Sequence, residues 1–268
     1  MSSHSLRYTV NCSMVFTELP LLERPAAVKA AGFAAVEFWW PFSQAVPADA
    51  EVDAFVAAVQ DAGVRLTGLN FFAGDMPGGD RGLVSWPARQ QEFRDNIDVV
   101  VGIAGRLGTQ AFNALYGNRL DDSTPQEQDE VATENLVAAA TAVDDFGGIV
   151  LVEPVSGAPR YPILTDADAL GVIDQAHKSG VDNVRLLADL YHLSVNGDDL
   201  DAVCANVGPI GHVQIADAPG RGEPGSGELD LDSYLTTLQQ NGYAGYVGLE
   251  YKPTTTSEQS LQSIARNN

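Results

Sequence analysis

Eight short apolar runs alternate with eight longer stretches of helical periodicity, and that alternation limits the folds open to this chain more than any other feature. The runs end at Ser13, Trp39, Asn70, Leu115, Glu153, Asp189, Gln214 and Glu250. The helical patterns cover Pro20–Ala31, Ala48–Ala62, Ala88–Leu107, Pro125–Phe146, Thr165–Ser179, Asp198–Asn206, Asp230–Asn241 and Ser257–Arg266. Gly32, Gly63 and Gly147-Gly148 close three of them, as suits helix C-termini. Thr165 with Asp168 reads as close to a capping box. Parallel strands need crossover helices, and eight such units close naturally into a barrel. The 268 residues suit the roughly 250 that such a barrel needs, and no linker divides them. The expectation is therefore an α/β protein with a single (β/α)8 TIM barrel spanning residues 1–268. An open doubly wound sheet would more usually carry a Gly-rich phosphate turn after strand one, and Asn11-Cys12-Ser13-Met14 is not one.

The last four runs share a second property: each ends in an oxygen-bearing side chain, Glu153, Asp189, Gln214 or Glu250. Strand C-termini of a barrel converge on one face, so these four should line one arc of it. A charge where a buried strand surfaces is costly unless it is paired or metal-bound. Three carboxylates without a cation would also repel one another strongly. Oxygen-only ligands favour Mg2+ or Mn2+ over zinc, which prefers His and Cys. The competing reading pairs two of the four with Arg or Lys in a structural network, for which nearby basic residues are sparse.

Other candidates follow from position. His192 comes three residues after Asp189, on the predicted loop leaving strand six, where it can hydrogen-bond a substrate oxygen. His212 should point the same way as Gln214, one layer deeper, in a supporting or packing role. Arg221 sits in a Gly/Pro-rich, flexible-looking loop and suits bidentate capture of a substrate carboxylate. Glu37, at the end of strand two, either holds basic residues or touches substrate. Lys252 is either a cation beside the substrate or a partner for a loop acid. Trp39, Trp40, Phe71 and Phe72 form an apolar wall or pack into the core.

Composition narrows the partners. A net charge of −21 argues against nucleic acid and against anionic membrane surfaces. The acids are spread over predicted helices, which reads first as a solvated surface. Cys12 and Cys204 form no disulfide framework and read as buried thiols of a reducing compartment. No signal peptide or membrane-length apolar run is visible, so a cytoplasmic enzyme is expected.

Several strings resemble hydroxypyruvate isomerases: Glu153-Pro154-Val155, Asp189-Leu190-Tyr191-His192, Gly211 to Asp217, Arg221 to Gly225, Leu249 to Pro253, Asn70 with Ala73-Gly74-Asp75, and Phe93-Arg94. These enzymes belong to a xylose-isomerase-like TIM-barrel superfamily that also holds ketose 3-epimerases, 2-oxo-tetronate isomerases and AP endonucleases. The resemblance covers nearly the whole chain and is most specific from Gly211 to Gly227. It implies a divalent metal on Glu153, Asp189, Gln214 and Glu250, with Glu153 and Glu250 as the proton-transfer pair and Asn70 near substrate. Ketose epimerases commonly have histidine at the position of Gln214, so glutamine favours the hydroxypyruvate branch. Two departures touch the substrate region. Val155-Ser156-Gly157 stands where family members often have an asparagine, and the loop from Phe71 to Gly82 differs in detail. The implied reaction is an aldose–ketose isomerisation of a small 2-oxo acid through an ene-diolate, on hydroxypyruvate or a 2-oxo-tetronate. A ketose 3-epimerase on a neutral sugar and a non-catalytic sugar- or metal-binding protein are the rival classes. Relatives are often dimers or tetramers, which makes a homo-oligomer possible.

Overall fold

A computed structural model of the protein describes residues 3–266. Its strands are β1 (Arg7–Asn11), β2 (Ala35–Phe38), β3 (Arg65–Asn70), β4 (Ala111–Asn113), β5 (Ile149–Val152), β6 (Val184–Asp189), β7 (Ile210–Ile215) and β8 (Tyr246–Leu249). All pair in parallel in chain order, and β1 pairs with β8 to close the expected barrel. The helices are α1 (Arg24–Ala30), α2 (Asp49–Ala62), α3 (Gln90–Leu107), α4 (Pro125–Asp144), α5 (Asp166–Lys178), α6 (Leu190–Asn196), α7 (Leu200–Ala205), α8 (Leu231–Gln240) and α9 (Ser257–Ser260). Among the described residues no helix is long and apolar enough to cross a membrane.

The helices pack their apolar sides on the outer face of the sheet. Val36, Phe38, Leu66, Phe112 and Val150 from the strands meet Phe55, Val59, Phe93, Ile103 and Leu136 from the helices in one buried cluster. Threonine side chains cap α4, α5 and α9, at Thr124, Thr165 and Thr256. Thr124 with Glu127, and Thr165 with Asp168, each form a reciprocal capping box, as read from the sequence for the second.

Two elements differ from expectation. The stretch after Asp189 is helical at once, as α6, so His192 stands on a first helical turn and not on a loop. The cause is Asp189 itself, whose Oδ1 accepts from the backbone N–H of Tyr191 at 2.8 Å and of His192 at 3.3 Å. The final helix is a single turn, α9, rather than a helix to Arg266.

The barrel interior is polar in its middle. Thr9 and Thr67 hydrogen-bond across it at 2.7 Å, which fixes both as inward-facing. Period-two alternation then turns Asn11 inward above Thr9, and Arg7 and Arg65 inward below the threonine pair. Glu37 from β2 lies buried inside and accepts hydrogen bonds from Asn11, His212 and Gln214. Gly248 makes the room: a Cβ there would lie 2.6 Å from Glu37 Oε1 and 2.8 Å from Gln214 Cγ.

Candidate active site

The C-terminal ends of β5 to β8 carry Glu153, Asp189, Gln214 and Glu250, all buried to within 5% relative exposure. Asp189 and Gln214 are paired neighbours in the β6–β7 ladder, and Gln214 is opposite Gly248, two residues before Glu250. Carboxylate oxygens of Glu153 and Asp189 and a ring nitrogen of His192 fall within 4.8 Å of one another.

Each side chain of the arc is aimed by a specific neighbour. Asn113, at the end of β4, donates to Glu153 Oε2 at 2.7 Å. Asp189 uses Oδ1 to cap α6, which leaves Oδ2 buried without a hydrogen-bond partner. Gln214 donates its amide N–H to Glu37 Oε1 at 2.6 Å, so its own oxygen is turned away from Glu37 and also lacks a hydrogen-bond partner. Glu37 is in turn held by His212 Nε2 at 2.8 Å and Asn11 Nδ2 at 3.0 Å. Thus Glu37 lies beneath the arc as its brace and holds neither Arg nor Lys among the described residues. His212 occupies the deeper supporting position expected of it.

Glu250 is the most heavily partnered member. Oε2 accepts from Asn11 at 3.0 Å, and Oε1 accepts from the Trp39 indole at 3.3 Å and from Arg221 Nη2 at 2.6 Å. Arg221 Nη2 also stands 3.6 Å from Asp189 Oδ2. The expectation that basic residues are too sparse to pair with the arc therefore fails at this one residue. Its loop is braced as well, despite its Gly and Pro content. The Asp217 carboxylate accepts from the backbone of Ala218, Gly225 and Leu229, and Arg221 O accepts from Lys252 N at 2.7 Å. Arg221 itself takes a left-handed φ of 59°, unusual for a residue with a Cβ, and its Nε is buried without a partner.

Burial and mutual repulsion act together on the glutamates. Burial first, and Asp189 second, push the Glu153 carboxyl up to about 8. Burial likewise holds Glu250 well above the ordinary range, against the pull of Arg221. One guanidinium does not neutralise three buried carboxylates. The donor set fits a hard divalent cation: two buried oxygens, Asp189 Oδ2 and Gln214 Oε1, have no hydrogen-bond partner, and two glutamates stand at the adjoining strand ends.

His192 is tuned for another task. Ser156 N–H donates to its Nδ1 at 3.0 Å, which leaves the proton of a neutral ring on Nε2. Burial lowers its pKa to about 4, so the ring is neutral near pH 7. Nε2 faces Glu153 Oε1 at 3.9 Å and Asp189 Oδ2 at 3.7 Å. A neutral imidazole with N–H on that side is a donor to an oxygen, not a metal ligand through the same atom.

A cavity of 390 Å³ opens above the arc, walled by Asn70, Glu153, His192, Arg221, Glu250 and Lys252 among others. Lys252 is exposed and makes no ion pair or side-chain hydrogen bond among the described residues. Trp39 also borders a neighbouring 820 Å³ cavity with Trp40 and Phe72, whereas Phe71 packs in the core against Phe93 and Phe112. The sequence reading overlooked Asn11, Asn113 and Ser156. Two of them close strands, as the four predicted ligands do, and that placement was the available signal.

Residues 25–267 match a protein family described as xylose isomerase-like TIM barrel. A Streptomyces coelicolor protein, provisionally named hydroxypyruvate isomerase, is 53% identical over 92% of this chain and 91% of its own. A 2-oxo-tetronate isomerase of Cupriavidus necator is 33% identical over 92% of this chain and 93% of its own. Among solved structures, a Brucella melitensis protein described as AP endonuclease, family 2, matches with a TM-score of 0.86 and 32% identity, covering 96% of this chain and 97% of that one.

Proposed function

The chain belongs to the xylose isomerase-like TIM-barrel family, and from that premise we propose that it is a divalent-metal-dependent isomerase of a small 2-oxo acid, hydroxypyruvate or a 2-oxo-tetronate. The observation that carries the proposal is the pair of buried oxygens without a hydrogen-bond partner, Asp189 Oδ2 and Gln214 Oε1, set beside Glu153 and Glu250. When bound there, Mg2+ or Mn2+ supplies positive charge that lowers the cost of an ene-diolate.

The chain's own groups account for the remaining chemistry. One glutamate takes the proton from the hydroxyl-bearing carbon, and a glutamate delivers a proton to the former carbonyl carbon. The hydroxyl proton passes between the two oxygens, so a ketone becomes an aldehyde with atoms and charge in balance. Burial raises the pKa of both Glu153 and Glu250 in the site without a cation, and that offsets part of the basicity a carboxylate loses beside a bound cation. His192 Nε2–H, neutral and pointed inward, supplies a hydrogen bond to a substrate oxygen. Lys252, a cation at the cavity wall with no ion pair or side-chain hydrogen bond among the described residues, anchors the substrate carboxylate, with Arg221 Nε as a second donor. That division revises the sequence expectation, because the Arg221 Nη2 edge already meets Glu250. Asn70 borders the same cavity and completes the polar wall.

The test is hydrogen–deuterium exchange at the substrate carbon in D2O, with Mn2+ and with chelator, over hydroxypyruvate, 2-oxo-tetronates and free ketoses. Metal-dependent exchange restricted to the acids is expected. Exchange only with neutral ketoses would make the protein an epimerase. Tight binding with no exchange would make it a binding protein.

A further inference from the structure

The opposite mouth of the barrel has a charge pattern at odds with the rest of the chain. The sequence holds 36 Asp and Glu against 15 Lys and Arg, so a basic side chain should rarely lack an acidic neighbour. Among the described residues four basic side chains have neither a hydrogen bond nor an ion pair: Arg7, Arg65, Arg185 and Lys252. Lys252 faces the catalytic cavity. The other three open β1, β3 and β6, as first, first and second residues of their strands, at the N-terminal end of the barrel.

Their placement is convergent. Arg7 and Arg65 lie two positions below the inward-facing Thr9 and Thr67, and Arg185 four positions below Asp189, so all three rise from the inner wall. Arg7 and Arg65 line a cavity of 330 Å³ at this end. Arg7 is steadied by the Tyr246 ring, 4.4 Å below its guanidinium carbon, which leaves its N–H groups free. Arg185 packs beside Gly211, where a Cβ would lie 2.7 Å from its own Cβ. Gly108, Gly147, Gly211 and Gly245 line the same cavity, together with Gln110 and Tyr246.

A simpler role would be to satisfy the helix carbonyl ends that gather on this side of the barrel. The hydrogen bonds do not fit that role. Arg24, Lys29 and Arg81 do bond backbone carbonyls elsewhere, but these three guanidiniums bond none. The unused planar forks of Arg7 and Arg65, which line one cavity, match the bidentate geometry of carboxylate or phosphate.

We propose that the N-terminal mouth of the barrel is a second binding site, which takes a small oxyanion, phosphate or carboxylate, between Arg7 and Arg65. It is separate from the catalytic end and independent of the isomerase reading. His212 borders this cavity and bonds Glu37, so the site adjoins the polar column beneath Gln214.

The experiment is titration of the whole protein with inorganic phosphate and with malonate, each at constant ionic strength held by chloride, read by thermal midpoint and by amide NMR shifts. Saturable stabilisation is expected, with shifts at Gly211 and Gly245. Saturation by phosphate alone would identify a phosphate site, and saturation by both a general oxyanion site. Read from the Gly211 and Gly245 shifts, Arg7→Gln and Arg65→Gln should each weaken binding at least tenfold and Arg65→Lys less than Arg65→Gln, whereas Lys252→Gln, at the opposite mouth, should leave those shifts unchanged. The NMR shifts report on folded protein, so a loss in the variants is not confused with unfolding. No saturation beyond the chloride control, or loss in Lys252→Gln with retention in Arg65→Gln, would overturn the proposal.

Discussion

Glu153 and Glu250 are held unequally, and the difference sets what each substitution should do. Glu153 has one side-chain donor, Asn113, whereas Glu250 has Asn11, Trp39 and Arg221. Glutamine preserves the shape of either but removes its ability to take a proton. Glu153→Gln and Glu250→Gln should each lower turnover at least about a hundredfold, the low end for general acid–base groups. Steady-state rates at saturating metal would check this, and near-normal turnover in either variant would refute the assignment. Titration provides a second prediction. Glu153 is raised from 4.5 to about 8, so the folded chain holds that proton more tightly than the unfolded one. Its contribution to stability is whole below about 4.5 and is lost as pH rises toward 8. Chelated protein should therefore melt progressively lower across that window, and Mn2+ should flatten the trend, because a cation favours the charged form. The arc was legible in the sequence because a carboxylate ending an apolar run is chemically conspicuous. Asn11 and Asn113 end strands in the same way but are uncharged, so nothing demanded a partner for them. The pairing of Arg221 with Glu250 joins positions 29 residues apart and is visible only in three dimensions.

Among the elements, α6 couples fold to chemistry. Asp189 is both the last residue of β6 and the N-cap of α6, with Oδ1 given to the helix and Oδ2 left toward the arc. The helix is what carries His192 back over Glu153 and Asp189. As a ligand alone, Asp189 gives no reason for a helix after β6, and the sequence points to a loop around His192. Asp as cap with Gly197 in the left-handed C-terminal position was a legible helix signal, but seven residues show too little periodicity to support it. The longer helices were readable because their apolar periods repeat, and the eight strands because each is a compact apolar run between them. The two functions of Asp189 can be separated. Asp189→Ala removes the cap as well as the charge, which typically costs about 1 kcal/mol of helix stability. Asp189→Asn keeps an oxygen for the N–H groups of Tyr191 and His192 and removes like-charge repulsion. In urea unfolding of metal-free protein, Asp189→Asn should be at least as stable as the parent and Asp189→Ala less stable. Both should lose tight metal binding. Equal destabilisation by the two would mean that the cap contributes nothing measurable.

For the whole molecule, charge and topology divide the work between the two ends of the barrel. The C-terminal mouth gathers buried carboxylates that fit a cation, within a chain whose total net charge is −21. Two electrostatic contributions to metal affinity therefore differ in range. Contacts within the arc operate over a few ångströms in a dry interior, where salt screens little. The field of distant surface acids operates through water, where the screening length falls from about 30 Å at 0.01 M to about 8 Å at 0.15 M salt. Raising the salt between those limits should weaken Mn2+ binding by a few-fold and then level off, as the distant part is removed and the arc remains. The same screening relieves the repulsion felt by an anionic substrate, so its KM should move the opposite way, while that of any neutral substrate stays fixed. Calorimetric Mn2+ titrations and KM measurements over one salt series would separate the two effects. Metal affinity indifferent to salt would mean that the acid surface is too remote or too well neutralised to be felt, and that the arc alone sets the binding.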